Sequence, residues 1–435
     1  MAQPKYQSLK GMHDLLPPES EEWLEVVDRF RRQFGRSGYG YIQTPILEDL
    51  AVFTRVGEGT DVVTKEMYDF VDKDGSTIAL RPESTAGVAR SFIQHRPLTP
   101  WKVWYTSQHF RHENTQAGRY RQHHQLGAEC FGSDHPDIDV ELIVGLWDFY
   151  TQSRDDGGLG LRRVRLQLNS LGERETRVRY QEMLRTYLDS RLDDLHPTDR
   201  DKVQRNPMRV LDTKFPESFP VVDEAPRLVD HLSESDRDRF ERVRHGVLEA
   251  GLPLDQVVLE PRLVRGLDYY THTVFEIVSD ALESAQSTIG GGGRYDGLVE
   301  ALGGPSTPGV GFGSGIERIL LALRAEEVPL LASFALDAFV VTFGDNHPDP
   351  RELMLGLRRN GIGVDRALNQ HNPRKQMDRA KRVNPRFIVR LGKDADRPTV
   401  VEVADQRDDT TWEVDLGPVV PEQAGRLAEE IHRRR

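Results

Sequence analysis

The stretch KVWYTSQHFRHENTQAGRYRQHHQLGAECFG, residues 102–132, decides the fold of this chain. Residues 101–111 and 120–131 are rich in aromatic and β-branched side chains, a composition typical of strands. The polar residues 112–119 between them predict a turn. We therefore expect the two runs to form a long antiparallel hairpin.

Charged and polar residues interrupt this apolar sequence. Arg111 and Glu113 end the first strand, and Gln125 and Glu129 lie four residues apart on one face of the second. Buried charges are costly unless they are paired or bind a ligand. Similar residues recur elsewhere in strand-like sequence: Arg81, Glu83, Arg265, Asp268, Tyr269, Tyr270 and Arg318. Ion pairs can explain one or two of them, but the whole set indicates a binding site.

The sequence on either side of the hairpin predicts both helices and strands. Residues 18–34 carry apolar side chains at spacings of three and four, which predicts an amphipathic helix. The turn signal at 73–75 predicts a second hairpin within 66–81. Ser314 and Glu317 have the spacing of a capping box at the start of a helix. Other helices are expected at 84–95 and 137–153, and other strands at 39–47, 257–259 and 273–278.

Two segments differ from this pattern and suggest separate structural parts. Residues 173–250 are highly charged, poor in glycine and helix-like, which indicates a helical insertion. Near the C-terminus, short apolar runs alternate with helix-like segments, which is typical of a small α/β domain with a mostly parallel sheet. We expect four segments, bounded at 1–172, 173–252, 253–328 and 332–435.

The composition limits the class of protein. The chain has 435 residues and a formal net charge of −12, which argues against a generally basic nucleic-acid binder. This total hides a local basic segment, because residues 366–390 contain eight basic residues and one acid. One cysteine, Cys130, cannot form an intrachain disulfide. We recognise no signal peptide or membrane span, so we expect a cytoplasmic protein without a membrane partner.

The common signatures of nucleotide and metal sites do not occur. The chain has no P-loop, no G-x-G-x-x-G and no H-E-x-x-H motif. His123 and His124 are adjacent and would lie on opposite faces of a strand, which is poor geometry for a shared metal. We therefore expect no metal site built from cysteine or histidine.

Three segments resemble the motifs of class II aminoacyl-tRNA synthetases. Residues 102–132 are similar to motif two, GVGFGSGIERILLAL at 309–323 to motif three, and GYGYIQTPILE at 38–48 to motif one. LVRGLDYYTHTVFE at 263–276 and GGGGRYDGLVEALGG at 290–304 resemble the two signature stretches of the histidyl-tRNA synthetase family. The resemblance implies an α+β catalytic domain built on an antiparallel sheet with a helical insertion, and a C-terminal α/β anticodon-binding domain with a mostly parallel sheet.

The resemblance also implies a reaction. In that family, L-histidine and ATP give histidyl-adenylate and pyrophosphate, and histidine is then transferred to the 3′ end of tRNA(His). Arg111, Arg265 and Arg318 would bind the phosphates of ATP as catalytic cations, and Glu113 would contact the adenine end. Arginine suits this role because it stays charged and presents a planar fork of donors. Mg²⁺ accompanying ATP and a homodimer are implied as well.

A histidine pocket follows from the same resemblance. Glu83 and Thr85 would bind the α-ammonium group, and Glu129 and Tyr270 would bind the two imidazole nitrogens. A site that hydrogen-bonds both nitrogens rejects apolar isosteres strongly, because its own buried polar groups would be left unpaired. Gln125 and Tyr269 would complete the wall of the pocket, and the resemblance places Tyr295 near the substrate.

The sequence indicates the tRNA contacts less specifically than the histidine and ATP sites. The C-terminal domain would read the anticodon, with phosphate contacts from Arg374, Lys375, Arg379, Lys381 and Arg382. The insertion, 173–250, would approach the acceptor stem. Ser84 departs from the family pattern, because the family usually has glycine at this position.

Two other functions compete with the synthetase. One is a catalytically inactive, histidine-binding regulatory paralogue of the family, but such paralogues lack the anticodon domain and degrade the arginine set. This chain retains Arg111, Arg265 and Arg318 and the additional domain. The other is a non-catalytic RNA-binding protein, which would explain the basic segment but not the carboxylates of the pocket.

Overall fold

The computed structural model describes residues 6–57, 62–264, 269–283, 286–329 and 336–434. The chain divides into two compact units, Met1–Leu330 and Leu331–Arg435. The helices of the first unit are α1 Glu19–Arg36, α2 Ala51–Gly57, α3 Thr85–His95, α4 Pro136–Thr151, α5 Arg174–Asp189, α6 Pro197–Arg205, α7 Met208–Leu211, α8 Phe219–Asp223, α9 Glu234–Glu249, α10 Leu298–Ala301 and α11 Ile316–Ala325. Its strands are β1 Gly40–Tyr41, β2 Leu47–Asp49, β3 Tyr68–Val71, β4 Thr77–Leu80, β5 Trp101–Phe110, β6 Gln122–Phe131, β7 Val164–Ser170, β8 Val257–Leu259, β9 Thr271–Ser279, β10 Thr288–Arg294 and β11 Gly309–Gly315.

The predicted long hairpin is present and forms part of the main sheet. β5 and β6 pair antiparallel along their whole length, from Trp101 opposite Phe131 to Phe110 opposite Gln122. The strand order of this eight-stranded sheet is β1-β5-β6-β11-β10-β9-β7-β8. Its inner neighbours are antiparallel, and the two edge strands pair in parallel. The predicted second hairpin forms β3 and β4, in a separate sheet with β2.

Alternation along β6 directs its side chains into two different cores. Leu126, Ala128 and Cys130 pack on one face, in a core that includes α1, α4 and α11. Phe131 and Tyr105 belong to a second core, on the opposite face, together with residues of α3 and α5. Helices α5 to α8 of the insertion therefore pack on the face to which Glu129 also points, whereas α9 packs in the first core.

Glycine makes possible a strand that the sequence does not predict. Residues 290–293 are all glycine and lie in the middle of β10, although glycine is depleted in strands. A Cβ on Gly292 would lie 2.0 Å from the backbone oxygen of Gly311 on β11. β10 therefore exists because pairing on both sides outweighs weak local propensity, and the close approach of β11 requires glycine.

The predicted capping box is wrong. Ser314 lies inside β11, where its buried Oγ is 2.6 Å from the Tyr150 hydroxyl and donates to the backbone oxygen of Ile289 at 3.0 Å. Glu317 instead accepts a hydrogen bond from the backbone N–H of His124 at 2.9 Å. Because both side chains bond to residues that are distant in the chain, neither of them caps α11, which begins without a side-chain cap.

The second unit contains a mixed sheet. Its elements are β12 Ala338–Thr342, α12 Pro350–Arg359, β13 Val364–Arg366, α13 Pro373–Val383, β14 Phe387–Leu391, β15 Val400–Asp405, β16 Thr410–Asp415 and α14 Val420–Arg434. β13, β12 and β14 are parallel, as the alternation of strands and helices predicts. β15 and β16 add an antiparallel hairpin at one edge. β16 is mostly exposed and polar, so it lacks the apolar run that marks the other strands.

No helix within the described residues is both long enough and apolar enough to cross a membrane.

Candidate active site

The carboxylate of Glu129 is completely buried on the second face of the main sheet and accepts three side-chain hydrogen bonds. Thr85 Oγ1 donates to it at 2.7 Å, and the Tyr105 hydroxyl donates at 3.1 Å. The Tyr295 hydroxyl donates to its other oxygen. The helix α3, the strand β5 and the residue that follows β10 thus bring hydroxyl groups to one carboxylate.

This environment changes the acidity of the cluster. Burial raises the pKa of Glu129 from 4.5 to about 8, although the hydroxyl donors oppose this shift. Burial also raises the pKa of Tyr105 and Tyr295 well above the ordinary value, so both remain donors. At neutral pH, Glu129 can therefore hold a proton or share one with a basic ligand.

Glycines in the neighbouring strands make room for this cluster. A Cβ on Gly311 of β11 would lie 1.7 Å from Oε2 of Glu129. A Cβ on Gly127 would lie 2.2 Å from the ring of Tyr105. Any side chain at these two positions would have to displace the groups that face the ligand, so the glycines of β6 and β11 are part of the site.

Glu83 lies beside this cluster at the start of α3. Its two oxygens accept hydrogen bonds from the backbone N–H groups of Thr85 at 2.6 Å and Ala86 at 2.9 Å. Burial raises the pKa of Glu83, while these N–H groups and the charge of Arg111 oppose the shift. Thr85 joins the two carboxylates, because its backbone binds Glu83 and its hydroxyl binds Glu129.

Three tyrosines form an aromatic wall at this place. The ring centroids of Tyr269 and Tyr270 are 4.8 Å apart, and those of Tyr269 and Tyr295 are 5.6 Å apart. Burial raises the pKa of Tyr269 well above its ordinary value, and the nearby tyrosine Tyr270 and the two carboxylates add to this shift. The structure therefore brings the predicted acids, Thr85 and all three tyrosines together. Arg265 and Asp268 lie outside the described residues.

A polar cleft of about 370 Å³ contains the other predicted site residues: Arg111, Glu113, Gln125 and Arg318. Nε of Arg111 donates to the backbone oxygen of Pro82, and Nη1 of Arg318 donates to that of Thr288, both at 2.8 Å. Each guanidinium is held by a carbonyl oxygen that does not neutralise its charge, and the ion pair of Arg111 with Glu113 is long, at 4.0 Å. Both cations therefore remain available to an anionic ligand in the cleft.

The structure also reveals cleft residues that the sequence did not single out. Arg119 forms an ion pair with Glu113 at 3.0 Å, and Glu276 accepts a hydrogen bond from Thr288 at 2.8 Å. Lys214 comes from the insertion, so its place in the cleft depends on tertiary packing alone. The sequence does contain a signal for Tyr105, because strand alternation places it on the same side of the hairpin as Glu129.

A third group of side chains could in principle bind a metal. It shares no residue with the polar cleft or with the Glu129 cluster, by which we mean Glu129 and its three donors, Thr85, Tyr105 and Tyr295. Ligand atoms of Glu173, Asp236 and His272 lie within 4.8 Å of one another. Asp236 already accepts hydrogen bonds from the backbone of Glu173 at 3.1 Å and from Thr176 at 2.9 Å. These contacts give the group a structural role in joining α5 to α9.

In the second unit, α13 carries the predicted tRNA contacts. Lys375, Arg379 and Arg382 line a surface cavity of about 530 Å³, and Arg374 and Lys381 are exposed on the same helix. None of the five forms an ion pair within the described part of the chain. Two other cations of the 366–390 segment do: Arg386 pairs with Asp405, and Arg390 pairs with Glu402. The available basic surface is therefore smaller than the sequence suggested and centred on α13.

The fold and site together define a class of protein. An antiparallel sheet carries the motif-two hairpin, a glycine-rich strand precedes α11, and arginines from both motifs line one cleft. This is the architecture of the catalytic domain of class II aminoacyl-tRNA synthetases.

Comparison with known proteins identifies the family within this class. The family model described as "Histidyl-tRNA synthetase" matches residues 11–319. The histidine–tRNA ligase of Ligilactobacillus salivarius is 42% identical over 397 residues, which cover 89% of this chain and 90% of the relative. That of Parasynechococcus marenigrum is 42% identical over 430 residues, covering 95% and 98%. The solved structure of apo histidyl-tRNA synthetase from S. aureus has a TM-score of 0.77 at 32% identity, covering 98% of this chain and 99% of that one. The chain belongs to the histidyl-tRNA synthetase family.

Proposed function

We propose that this protein is a ligase that activates L-histidine with ATP and then transfers it to tRNA(His). The observation that carries this proposal is the buried carboxylate of Glu129, held by three hydroxyl groups beside Glu83 and next to an arginine-lined cleft. An amino acid with a basic ring requires two separate acidic partners, one for its ammonium group and one for its ring.

Histidine recognition follows from this arrangement. Glu83 would bind the α-ammonium group together with Thr85. Glu129 and Tyr270 would each contact one imidazole nitrogen, and Gln125, Tyr269 and Tyr295 would enclose the ring. An apolar side chain of similar size would leave Glu129 buried without a ligand partner, which disfavours its binding.

In the first step, a carboxylate oxygen of histidine attacks the α-phosphorus of ATP, and the bond to the leaving pyrophosphate breaks. Negative charge on the phosphoryl oxygens increases in the transition state, so fixed cations accelerate the step. Arg111 and Arg318 would bind the α-phosphate and the γ-phosphate side, Arg265 would assist at the α-phosphate, and Glu113 would contact the adenine end. Glu276 lines the same cleft and would supply carboxylate oxygens, the ligand type preferred by the Mg²⁺ that accompanies ATP.

In the second step, a hydroxyl group of the terminal adenosine of tRNA attacks the carbonyl carbon, and AMP leaves. Residues 332–435 would form the anticodon-binding domain, with α13 contacting phosphates. Residues 173–252 would approach the acceptor stem, between the two parts of the catalytic core, 1–172 and 253–328.

The assembly would be a homodimer in the cytoplasm. Support comes from the motif-one segment, where Tyr41, Ile46 and Leu47 are 41–53% exposed. Tyr41 lies on the edge strand β1 of the main sheet. A second copy of the chain would cover these apolar side chains.

The regulatory paralogue remains the second candidate, since it would also bind histidine. The two arginines in the cleft and the second compact unit favour the ligase. Purified protein with histidine and ATP should exchange labelled pyrophosphate into ATP, and the other amino acids should not support this exchange. Histidine binding without any exchange would favour the paralogue and refute the ligase.

A further inference from the structure

The segment that carries Glu83 is attached to the end of β5 by three hydrogen bonds. The backbone N–H of Phe110 donates to the oxygen of Arg81 at 3.1 Å, and Nε of Arg81 donates to the oxygen of Gln108 at 2.8 Å. Nε of Arg111 donates to the oxygen of Pro82 at 2.8 Å. The proposed ammonium-binding residue and the proposed phosphate-binding residue thus lie on segments in direct contact.

A fourth contact, made by two buried side chains, joins the same segments. Oγ of Ser84 lies 2.7 Å from Nε2 of His109, and the two residues are 2% and 0% exposed. Nδ1 of His109 has no hydrogen-bond partner within the described residues. An unpaired buried nitrogen costs free energy that an apolar side chain would avoid. The bond to Ser84 therefore satisfies Nε2 and is the one hydrogen bond that the imidazole makes within the described residues.

Ser84 does not play the role usual for a serine at its position. It is the N-cap residue of α3, where a serine side chain normally accepts a hydrogen bond from the first turn. Here the Ser84 side chain makes no such bond, and Glu83 binds the N–H groups of Thr85 and Ala86 instead. The hydroxyl group is left to bind His109.

We propose that the Ser84–His109 hydrogen bond is a positioning contact that fixes Glu83 relative to Arg111. The inference rests on the proposed roles of these two residues. Ser84 follows Glu83 directly, and His109 lies two residues before Arg111 in the same segment. Glu83 would hold the ammonium group of histidine and Arg111 the α-phosphate of ATP, so the distance between them sets how the histidine carboxylate approaches the α-phosphate. Small misplacements of reacting groups reduce rates strongly.

The test uses pyrophosphate exchange by the full-length protein with four variants: Ser84→Ala, His109→Leu, the double variant and His109→Gln. Each single removal should lower kcat about tenfold and raise KM for histidine more than KM for ATP. The double variant should be no worse than either single one, because both remove the same bond. His109→Gln keeps an amide near the position of Nε2 and should recover most of the activity.

Ser91→Ala, a buried serine of the same helix, is the matched control and should keep wild-type kinetics. Ser84→Ala removes one oxygen only. If His109→Leu does not fold, the exchange kinetics of Ser84→Ala alone test the positioning role. Wild-type kinetics in Ser84→Ala, or multiplied losses in the double variant, would overturn the positioning role. Absence of exchange in the wild-type protein would instead refute the proposed ligase.

Discussion

The Glu129 cluster and the basic face of α13 use charge in opposite ways. Glu129 is buried, and each of its oxygens is engaged by a hydroxyl group. The five cations of α13 are exposed and make no ion pair within the described residues. One region holds a single ionisable group with several fixed partners, while the other presents many charges without ion-pair partners.

This difference shows how each region can recognise its ligand. In a low-dielectric interior, a polar group that loses its partner is costly, so specificity can depend on one or two residues. On a solvated surface, each contact with a phosphate is weak and screened by salt, so affinity is a sum over many similar contacts. Single substitutions should therefore have large effects in the first region and small, additive effects in the second.

The largest effect should come from a cation next to the buried site. Arg318→Ala should lower the rate of pyrophosphate exchange by about 10²- to 10³-fold, the scale for one preorganised contact to a developing charge. Arg324→Ala is the matched control on the same helix, since Arg324 is exposed and its ion pairs within the described residues are surface pairs with Glu19 and Glu22. Similar exchange rates in both variants would contradict the expectation that one substitution at the buried site has a large effect.

A single added methyl group should break the buried cluster. In Gly311→Ala, the new Cβ would collide with Oε2 of Glu129 and displace this carboxylate. KM for histidine should rise about tenfold to a hundredfold, because an imidazole nitrogen loses its partner at a cost of about 1–3 kcal/mol. Gly297→Ala is the control, because no atom lies near the position of its Cβ. Unchanged KM in Gly311→Ala would remove Glu129 from the histidine pocket.

The sequence predicts the helices and strands of this site better than the contacts between them. The hairpin 101–131 and most helices follow from local patterns, since alternation and the 3.6-residue period are properties of short segments. The strand β10 and the true role of Ser314 do not, because both depend on partners that are distant in the chain. Glycine is read as a breaker in the sequence, yet here it permits close strand packing.

The same limit applies to charges. The sequence identifies Glu129 as a carboxylate on a strand, but its three hydroxyl donors come from α3, β5 and the residue that follows β10. Likewise, the number of charges in 366–390 follows from the sequence, whereas Arg386 and Arg390 pair with acids on β15 only in the folded sheet. Composition therefore gives the number of charges, and tertiary structure determines which of them are available.

A smaller effect concerns the pH dependence of stability. Because the pKa of Glu129 rises from 4.5 to about 8 on folding, the native protein keeps a proton that the unfolded chain releases between these values. Glu129 should therefore make the free energy of unfolding decrease as the pH rises from about 5 to 8. Urea unfolding at several pH values should show a weaker decrease in Glu129→Gln than in the wild type. The exposed Glu249→Gln should behave like the wild type, and an unchanged pH dependence in Glu129→Gln would mean that Glu129 is ionised throughout.

The smallest single effects should occur on α13, where they should add. Lys375→Ala and Arg379→Ala should each weaken tRNA binding modestly and lower the dependence of log Kd on log salt by about one. The double variant should lower it by about two, and pyrophosphate exchange should stay normal in all three. Arg397→Ala removes the same charge from a residue paired with Glu413, so it should leave the salt dependence unchanged. A large loss from either single substitution would mean that α13 recognises its ligand through a few fixed contacts, as the Glu129 cluster does, and the contrast between the two regions would fail.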